Sequence, residues 1–352
     1  MKTYRKYRAV PEEENMWHQP VIRLSIVALA GFGLSLSATA KPEFTTFAPP
    51  QSMYAYPVAI NGGAVAGYYQ DTSAAIHGFE RAADGTITTF DPTGSDGTYV
   101  TGLNGGGAIT GYYDDSNYLG HGFVRAADGT FTAVEPKGAM ASYAFGINTK
   151  GVVAGYYEDN SSTWHGFVRK TGGKFTKFDV SGDTFILAYG INKQGAVTGY
   201  YDDSAGVAHG YVRAADGTIA TFDPTGSVFT APYSINDSGA VTGYYVDSSY
   251  VEHGFVRTAD GTITNFDPTG STGTYAMSIN NSGQIAGYYL DSSFAAHGFM
   301  RGNSGKITSF DAPGTTGTYG EAIDSSHTDP GGIAGFCDES SDSADGFVRT
   351  RQ

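Results

Sequence analysis

Short hydrophobic and aromatic stretches alternate with clusters of Gly, Asn, Asp and Ser along most of the chain. In one representative part these stretches are residues 234–236, 241–245, 253–257 and 262–267, and each is bounded by such a cluster. Stretches of this length that are rich in Val, Ile, Thr, Tyr and Phe are typical of β-strands, whereas the spacing of an amphipathic helix is absent. The pattern therefore predicts four short strands in this part of the chain.

The four-strand pattern belongs to a repeat with seven copies, which two triplets mark. Gly-Tyr-Tyr, on the second predicted strand, begins at Gly67, Gly111, Gly155, Gly199, Gly243 and Gly287, and the seventh copy is Gly335-Phe336-Cys337. His-Gly-Phe, on the third, begins at His77, His121, His165, His209 (as His-Gly-Tyr), His253 and His297, and the seventh copy is Asp345-Gly346-Phe347. The spacing is 44 residues five times and then 48, with the four extra residues around residues 326–330.

The two ends of the repeat region predict how the units are joined. The last unit stops after residues 346–349 without a fourth strand, and residues 43–47 match fourth strands such as residues 86–90. Four strands every 40–45 residues are typical of β-propeller blades, and a closed ring hides the edges of its sheets. We predict an all-β, seven-bladed β-propeller of four-stranded blades in which residues 43–47 complete the last blade. An open solenoid or a two-domain β arrangement is the alternative.

The repeated triplets resemble those of the extracellular repeat family known as HAF, which is named for His-Ala-Phe. In this chain Gly78, Gly122 and their counterparts replace the Ala of that triplet. The resemblance extends over about residues 43–350. It implies an exported repeat protein, and it brings no established catalytic residues to carry over.

The first forty residues have the composition of a signal peptide. Five basic residues precede an apolar run at residues 24–36, and Ser-Ala-Thr-Ala-Lys follows at residues 37–41. We predict cleavage after Ala40, which leaves residues 41–352 as a single propeller domain, secreted or periplasmic. An uncleaved anchor is the alternative, but the run is shorter than the roughly 20 residues of a spanning helix. With Cys337 as the only cysteine, no intrachain disulfide is possible, which favours a bacterial source.

Charge and composition narrow the choice of partners. The whole chain carries a formal charge of −14, and residues 41–352 alone hold 16 basic and 32 acidic residues. Such a balance argues against nucleic acids and anionic membrane surfaces as ligands of a basic patch. The mature chain has no hydrophobic run that would span a membrane, and we expect a monomer. The 50 glycines, high for 352 residues, fall mostly in five repeated columns and so belong to the unit itself.

The two ends of the units differ in predicted loop length. We call the side that carries the connections after strands two and four the even-strand face, and the opposite side the odd-strand face. The even-strand face has predicted loops such as residues 70–76 and 92–98, whereas the odd-strand face has tight turns such as residues 61–63 and 82–85. Long loops on a rigid scaffold commonly bind ligands, so we predict that the even-strand face is functional.

The even-strand face is acidic in every copy. The loop after strand two begins with an aspartate in six units: Asp71, Asp115, Asp159, Asp203, Asp247 and Asp291. Further carboxylates follow strand four, namely Asp91, Glu135, Asp179, Asp223, Asp267 and Asp311. Such oxygen-rich loops suit Ca²⁺ or polyol hydroxyls, whereas Asp and Ser also bond to their own backbone in turns. We expect turn chemistry and keep Ca²⁺ as the alternative, since no EF-hand pattern occurs.

A set of tyrosines precedes, by five residues or by three, the Asn at the end of the first strand or its counterpart Asp324 in the last unit. Its members are Tyr56, Tyr99, Tyr143, Tyr189, Tyr233, Tyr275 and Tyr319. Aromatic rings beside Asp and Ser suit sugars, which offer apolar faces together with hydroxyls. These tyrosines and the loop aspartates are the candidate ligand-binding residues. Packing between units is the alternative.

The repeated histidines and arginines are expected to be structural. The histidines lie 44 residues apart, one in each unit, so they do not converge on one metal ion. We predict that each forms a hydrogen bond within its own unit. Seven arginines end the third strands, and we predict that they pair with nearby carboxylates: Arg81, Arg125, Arg169, Arg213, Arg257, Arg301 and Arg349.

Near-identical units supply the same groups many times, whereas catalysis needs different groups that converge on one point. No G-x-S-x-G, H-E-x-x-H or P-loop motif occurs, and His327 and Asp329 are best explained as part of a surface insertion. We predict an exported, non-catalytic binding module that uses its acidic even-strand face, with carbohydrate or another envelope protein as its partner. The alternatives are a propeller lyase or cyclase and a purely structural envelope protein.

Overall fold

The computed structural model describes residues 43–182, 185–326, 331–340 and 343–350, which all belong to one compact unit of the chain. Within these residues the chain forms 28 β-strands and no helix, so the all-β prediction is confirmed. The described part consequently offers no helix long and apolar enough to cross a bilayer. The predicted signal peptide at residues 1–40, together with His327 and Asp329, lies outside the described residues.

The strands follow the repeat, four to a unit. The first strand of the chain is β1 (Glu43–Phe47). Unit one contains β2 (Ser52–Asn61), β3 (Ala64–Asp71), β4 (Ile76–Arg81) and β5 (Ile87–Phe90). Unit two contains β6 (Gly97–Leu103), β7 (Ile109–Asp114), β8 (Gly120–Arg125) and β9 (Phe131–Ala133). Unit three contains β10 (Ala139–Ile147), β11 (Val153–Asp159), β12 (Trp164–Arg169) and β13 (Phe175–Phe178).

The remaining units have the same order. Unit four contains β14 (Phe185–Ile191), β15 (Val197–Asp202), β16 (Ala208–Arg213) and β17 (Ile219–Phe222). Unit five contains β18 (Ser227–Ile235), β19 (Val241–Asp247), β20 (Glu252–Arg257) and β21 (Ile263–Phe266). Unit six contains β22 (Gly273–Ile279), β23 (Ile285–Leu290), β24 (Ala296–Arg301) and β25 (Ile307–Phe310). Unit seven contains β26 (Gly317–Ile323), β27 (Ile333–Asp338) and β28 (Ala344–Thr350).

Each unit is an antiparallel meander in which consecutive strands pair. The fourth strand of unit seven is β1, which pairs with β28 from Glu43 opposite Thr350 to Phe47 opposite Gly346. Phe47 of this strand also contacts Phe79 of unit one, with ring centroids 5.9 Å apart. The two ends of the repeat region therefore share one sheet, and that sheet is in contact with the first unit.

The first strand of every unit carries a β-bulge at the same place. The bulged residues, which have no direct partner on the second strand, are Val58, Thr101, Phe145, Tyr189, Tyr233, Met277 and Glu321. The first strands contact one another in succession, from β2 through β22 to β26, and β26 in turn contacts β2. Bulges increase local twist, which suits strands that crowd together side by side.

An aromatic side chain on the third strand forms the centre of each unit. The phenylalanine or tyrosine of the His-Gly-Phe triplet is no more than 2% exposed at Phe79, Phe123, Phe167, Tyr211, Phe255, Phe299 and Phe347. In unit five it packs on the preceding unit, where Phe255 and Phe222 have ring centroids 5.8 Å apart. The hydroxyl of Tyr211 donates to Leu187 O at 2.9 Å, which explains why tyrosine is accepted in this buried position.

The odd-strand face is held by a ladder of asparagines. In each step the Nδ2 group of one asparagine donates to the backbone oxygen of its counterpart one unit later, at 2.9–3.1 Å, through Asn104, Asn148, Asn192, Asn236 and Asn280. Asn280 donates to Asp324 O at 3.2 Å, and Asp324 Oδ2 accepts from the amide of Gly63 in unit one at 3.1 Å. Units two to seven, and then unit one, are thus connected by one series of hydrogen bonds.

Candidate functional site

The connections of the two faces differ less in length than the sequence suggests. In unit one the even-strand connections span residues 72–75 and 91–96, and the odd-strand connections span residues 62–63 and 82–86. In unit two all four connections have five residues, at 104–108, 115–119, 126–130 and 134–138. The strands extend further into the predicted loops than hydropathy indicated. Loop length therefore does not identify the even-strand face as the functional one. Any such assignment must come from the side chains that the face carries.

A histidine cluster occurs on the even-strand face of units one to six. The Nδ1 atom lies 2.7–2.9 Å from the carboxylate that follows strand four, and Nε2 lies 3.3–3.6 Å from the loop aspartate. The clusters are Asp71–His77–Asp91, Asp115–His121–Glu135, Asp159–His165–Asp179, Asp203–His209–Asp223, Asp247–His253–Asp267 and Asp291–His297–Asp311. The histidines thus bond within their own unit, as the sequence predicted.

A tyrosine stacks beside each histidine of these clusters. It is the second tyrosine of Gly-Tyr-Tyr, and its ring centroid lies 5.0–5.3 Å from the imidazole in all six units. Burial lowers the pKa of His253, but the hydrogen bond and charge of Asp267, with those of Asp247, outweigh it and raise the pKa above its ordinary value. The pKa values of His209 and His297 are raised by the same balance.

The loop aspartates bond to the backbone of their own turns. In each, Oδ1 accepts from the amide two residues later at 2.7–2.8 Å and from the amide four residues later at 2.9–3.1 Å. These bonds lower the pKa of Asp115 to about 2. The hydroxyl of Ser293, followed by the two backbone bonds, lowers the pKa of Asp291 to about 2. This is the turn chemistry expected of Asp. Within the described residues no group of three or more potential ligands is arranged to hold a metal ion.

Unit seven departs from this arrangement. Asp345 stands where the other units have histidine, and Ala48 stands where Asp91 follows strand four. Cys337 replaces the stacking tyrosine, is fully buried, and has a pKa that burial raises to about 12. A buried thiol of this kind acts as a small apolar side chain.

The candidate tyrosines form a continuous series of ring contacts. Successive centroids are 4.4–5.8 Å apart along Tyr56, Tyr68, Tyr99, Tyr112, Tyr143, Tyr156, Phe145, Tyr189, Tyr233, Tyr244, Tyr275, Tyr288, Tyr319 and Phe336, and Phe336 contacts Tyr56. All seven candidates are half-buried, and burial raises the pKa of Tyr143 to about 12. Their rings are used first of all for packing between units.

Tyr189 and Tyr233 do not occupy the same register as the other five candidates. Tyr56, Tyr99, Tyr143, Tyr275 and Tyr319 lie opposite the first residue of Tyr-Tyr, or its counterpart Phe336, on the second strand. In units four and five Leu187 and Ala231 hold that place, and the tyrosines occupy the bulge. The two positions nevertheless face the same series of rings, since Tyr143 and the bulged Phe145 of unit three both contact Tyr156.

Glu321 is the carboxylate among the bulged residues of the first strands. It occupies in unit seven the place that Tyr189 and Tyr233 take in their units. Burial raises its pKa to about 7. Its charge also contributes to the raised pKa values of Tyr68 and Tyr288, so it lies near both hydroxyls.

The seven arginines share a different contact from the one predicted. Each guanidinium lies over a phenylalanine ring, 4.6–6.0 Å from its centroid. In unit five the ring is Phe222 of the preceding unit, whereas Arg169 uses Phe175 because Val134 replaces phenylalanine in unit two. An ion pair with a carboxylate is seen at Arg125, which lies 3.1 Å from Glu80. Cation–π stacking is thus what the arginines have in common.

The tips of the even-strand connections are the feature that the sequence analysis missed. We call the third residue after each loop aspartate the loop tip: Ala74, Tyr118, Ser162, Gly206, Tyr250 and Phe294. All six have a positive φ, between 58° and 77°. Each tip amide donates to the backbone oxygen of its aspartate at 2.8–3.0 Å, which fixes this conformation. An alignment of the units shows that the residue type at the loop tip varies from unit to unit. The residue types do not indicate the positive φ that all six tips share.

Three of the tips are aromatic and protrude into solvent. Tyr118 is 85% exposed, Tyr250 is 82% exposed and Phe294 is 73% exposed. A bulky residue at positive φ is uncommon and costs energy, whereas glycine adopts it freely. These three positions therefore combine a disfavoured backbone conformation with a disfavoured exposure of apolar surface.

Comparisons with known proteins identify the fold. No family model matches the chain, and no curated protein sequence is similar to it. The β-propeller domain of the Trilobed protease from Pyrococcus furiosus matches with a TM-score of 0.59 at 9% identity, over 85% of this chain and 95% of that chain. TolB from Acinetobacter baumannii matches with a TM-score of 0.50 at 11% identity, over 72% of this chain and 62% of that chain. The described part of this chain therefore has the fold of a β-propeller.

Proposed function

We propose that the seven units are the seven blades of one closed ring, built from HAF-type repeats and fastened by β1. One pairing between the two ends of the repeat region and three contacts between the last and first units support closure. They are the pairing of β1 with β28, the contact of β26 with β2, the bond from the Gly63 amide to Asp324, and the Phe336–Tyr56 ring contact. A closed ring leaves only short outer strands as sheet edges and presents the loop tips from a rigid scaffold.

We propose further that the protein is exported and acts as a non-catalytic binding module for glycans through its even-strand face. The observation that carries this proposal is the exposure of Tyr118, Tyr250 and Phe294 at strained loop tips. Backbone strain and exposed aromatic rings both disfavour the free protein, and such features cluster at ligand-binding positions. A ligand that covers the rings would offset the second of these costs.

A sugar suits these tips because it offers an apolar face for the ring and hydroxyls for the neighbouring polar groups. Beside Tyr250 lie Ser248 and Ser249, together with Asp247, whose Oδ2 is 3.5 Å from His253. The aromatic tips belong to units two, five and six, so a single ring presents several of them. A polymer with repeated sugars would gain avidity by contacting more than one tip.

The histidine clusters argue against the enzymatic alternative. Six near-identical clusters, one in each unit, do not converge on a reacting atom, and their carboxylates bond to their own turns. Glu321 is a carboxylate that the other first strands do not repeat. The other described bulged residues carry no carboxylate, so a lyase or cyclase would have to use Glu321 without a second such group at these positions. Binding therefore remains the function that the geometry favours.

A glycan array with the purified protein tests this proposal. We expect binding to a polymeric or repeated neutral glycan, and at least about a tenfold loss of apparent affinity when Tyr118→Gly, Tyr250→Gly and Phe294→Gly are combined. Ala74→Gly with Ser162→Gly is the matched control, since it changes two small tips in the same conformation, and it should bind as the natural protein does. A flat array, or full binding by the triple variant, would contradict the proposal.

The same array also tests the Ca²⁺ alternative. We expect equal binding with added Ca²⁺ and with a chelator, because the loop aspartates already accept two backbone amides each. A loss of binding in chelator, together with heat of Ca²⁺ binding by calorimetry, would instead support a metal at these loops.

A further inference from the structure

A groove opens on the odd-strand face between units three and four, away from the loop tips. Its volume is about 610 Å³, and four turns line it, with Lys150, Lys170, Gln194 and Asp216 among their residues. Pockets of roughly 300–1,000 Å³ are typical of sites for small molecules. The groove is therefore large enough for a ligand of several rings.

Cations outnumber carboxylates among the charged side chains of this groove, although the guanidinium of Arg213 also lies 5.0 Å over the ring of Phe178. Lys150, Lys170, Lys193 and Arg213 line it, and Asp216 is the carboxylate among the described lining residues. The surrounding protein is strongly acidic, with a formal charge of −14. A local reversal of charge inside a concave surface attracts anions, and the attraction weakens as salt is added.

The lysines of the groove occupy positions at which most other units carry uncharged residues. At the place of Lys150 the other units have residues such as Gly106, Ser238 and Ser282. At the place of Lys170 they have Ala82, Ala126, Ala214, Thr258 and Gly302. Of the eight lysines after residue 40, six lie between Lys137 and Lys193. Folding of the unit therefore does not require these lysines, since the other units form the same turns without them.

Some of the uncharged lining groups can bond to hydroxyls. Thr171 and Thr176 carry hydroxyl groups, and Gln194 carries an amide. The Asn148 amide is already used, because Nδ2 donates to Asn192 O at 2.9 Å. Thr171 Oγ1 donates to Lys150 O at 2.8 Å, which ties two of the lining turns together. The groove thus combines a rigid wall with polar side chains and flexible cations.

We propose that this groove binds an acidic oligosaccharide, meaning sugars that carry carboxylate or sulfate groups. Lysine ammonium groups are point charges that accept either anion, and the amide and hydroxyl groups suit the sugar hydroxyls. An inorganic anion would occupy only a small part of the volume. The proposal concerns a different face and a different charge class from the loop tips, so it does not depend on the proposed function.

Calorimetry on the full protein with defined probes tests the groove. The probes are a trigalacturonate, a heparin-derived hexasaccharide, maltotriose as the neutral counterpart, and inorganic phosphate. We expect at least one acidic oligosaccharide to bind with an affinity that falls as salt rises, and maltotriose to bind at least about tenfold more weakly. Equal affinity for maltotriose, binding of phosphate alone, or binding of double-stranded DNA in preference to both acidic probes would overturn the proposal.

Combined Lys150→Gln, Lys170→Gln and Lys193→Gln should reduce the affinity about tenfold or more. The matched control is Lys306→Gln, which removes an exposed lysine of unit six and should leave binding unchanged. All three groove lysines are exposed, so the variant should fold, and its thermal unfolding checks this. Retained affinity in the triple variant would overturn the proposal.

Amine labelling of the natural protein provides a second measurement. The bound oligosaccharide should protect Lys150, Lys170 and Lys193 from acetylation, whereas Lys306 should react at its free rate. Equal protection of Lys306 would contradict a site in the groove. The loop-tip variant with Tyr118→Gly, Tyr250→Gly and Phe294→Gly should keep the groove affinity, which separates failure of this proposal from failure of the proposed function.

Discussion

The histidine clusters and the loop tips are neighbours on the even-strand face, but they differ in what recurs from unit to unit. In unit five the tip is Tyr250 and the cluster histidine is His253, only three residues later. The cluster keeps the same side chains in six units and bonds them to one another. The tip keeps only its backbone conformation, while its side chain varies from glycine to phenylalanine.

This contrast separates two kinds of repeated position. Where the side chain recurs, it has a partner inside the unit, as His253 has in Asp247 and Asp267. Where only the backbone conformation recurs, as at the loop tips, the aromatic side chains are exposed and accessible to a ligand. The lysines of the odd-strand groove follow the second rule, since they too occupy places where the other units differ.

The largest expected effect comes from the same truncation at the two kinds of position. Phe255→Ala should lower the free energy of unfolding by about 3–5 kcal/mol, because it empties a fully buried site in contact with the preceding unit. Phe294→Ala should change it by less than about 0.5 kcal/mol, because that ring is 73% exposed. Urea denaturation of both variants measures the difference, and similar losses would remove the contrast between core and tip.

A smaller effect is expected from relief of strain at the tips. Tyr250→Gly should raise the free energy of unfolding by about 1 kcal/mol, since glycine adopts the positive φ at no steric cost. Gly206→Tyr should lower it by a similar amount, and the two variants are measured side by side by thermal unfolding. Opposite signs support strain retained for binding, whereas a loss of stability in Tyr250→Gly would show that the ring stabilises the free protein.

The smallest expected effect is a pH dependence that belongs to the clusters and not to the tips. The pKa values of His209, His253 and His297 are raised above 6.5, so their contribution to stability is complete below that pH and is lost as pH rises through the raised values. The pKa values of the loop aspartates are lowered from 3.8, so their contribution is lost only as pH falls below that value, towards about 2 for Asp115. The contribution of these two sets of groups should therefore be greatest between pH 3.8 and pH 6.5, and it should decline above pH 6.5.

Glu321 adds a second decline, which begins at lower pH than that of the histidines and must be separated from it. Its pKa is raised from 4.5 to about 7, so ionisation of this buried group costs stability as pH rises across that range. Glu321→Gln should remove its part of the slope, and combined His209→Gln, His253→Gln and His297→Gln should remove the other. Melting temperatures across pH 4–8 measure both. An unchanged slope in the histidine variant would assign the pH dependence to other groups.

The residue pattern was sufficient for the secondary structure of each unit. Val, Ile, Thr and aromatic residues in runs bounded by Gly, Asn and Asp specify strands and turns through local chemistry, and the strands lie where those runs are. The turn role of Asp247 and the in-unit hydrogen bond of His253 also followed, because their partners lie within one unit. The bulge at Tyr189 did not follow from the residue pattern, since a bulge changes the pairing of a strand without changing its composition.

The amino-acid sequence alone thus specified the unit, its number of copies and the all-β class, because these depend on contacts over a few residues. Only the tertiary structure revealed the exposed ring at Tyr250, since its φ depends on hydrogen bonds that the residue type does not encode. The groove is also a tertiary feature, because the turns of Lys150 and Lys170 in unit three meet the turn of Lys193 only when unit four packs against unit three. The repeated sequence made the strands and turns of the unit recognisable. Packing between units decided which of the non-repeated side chains lie close together.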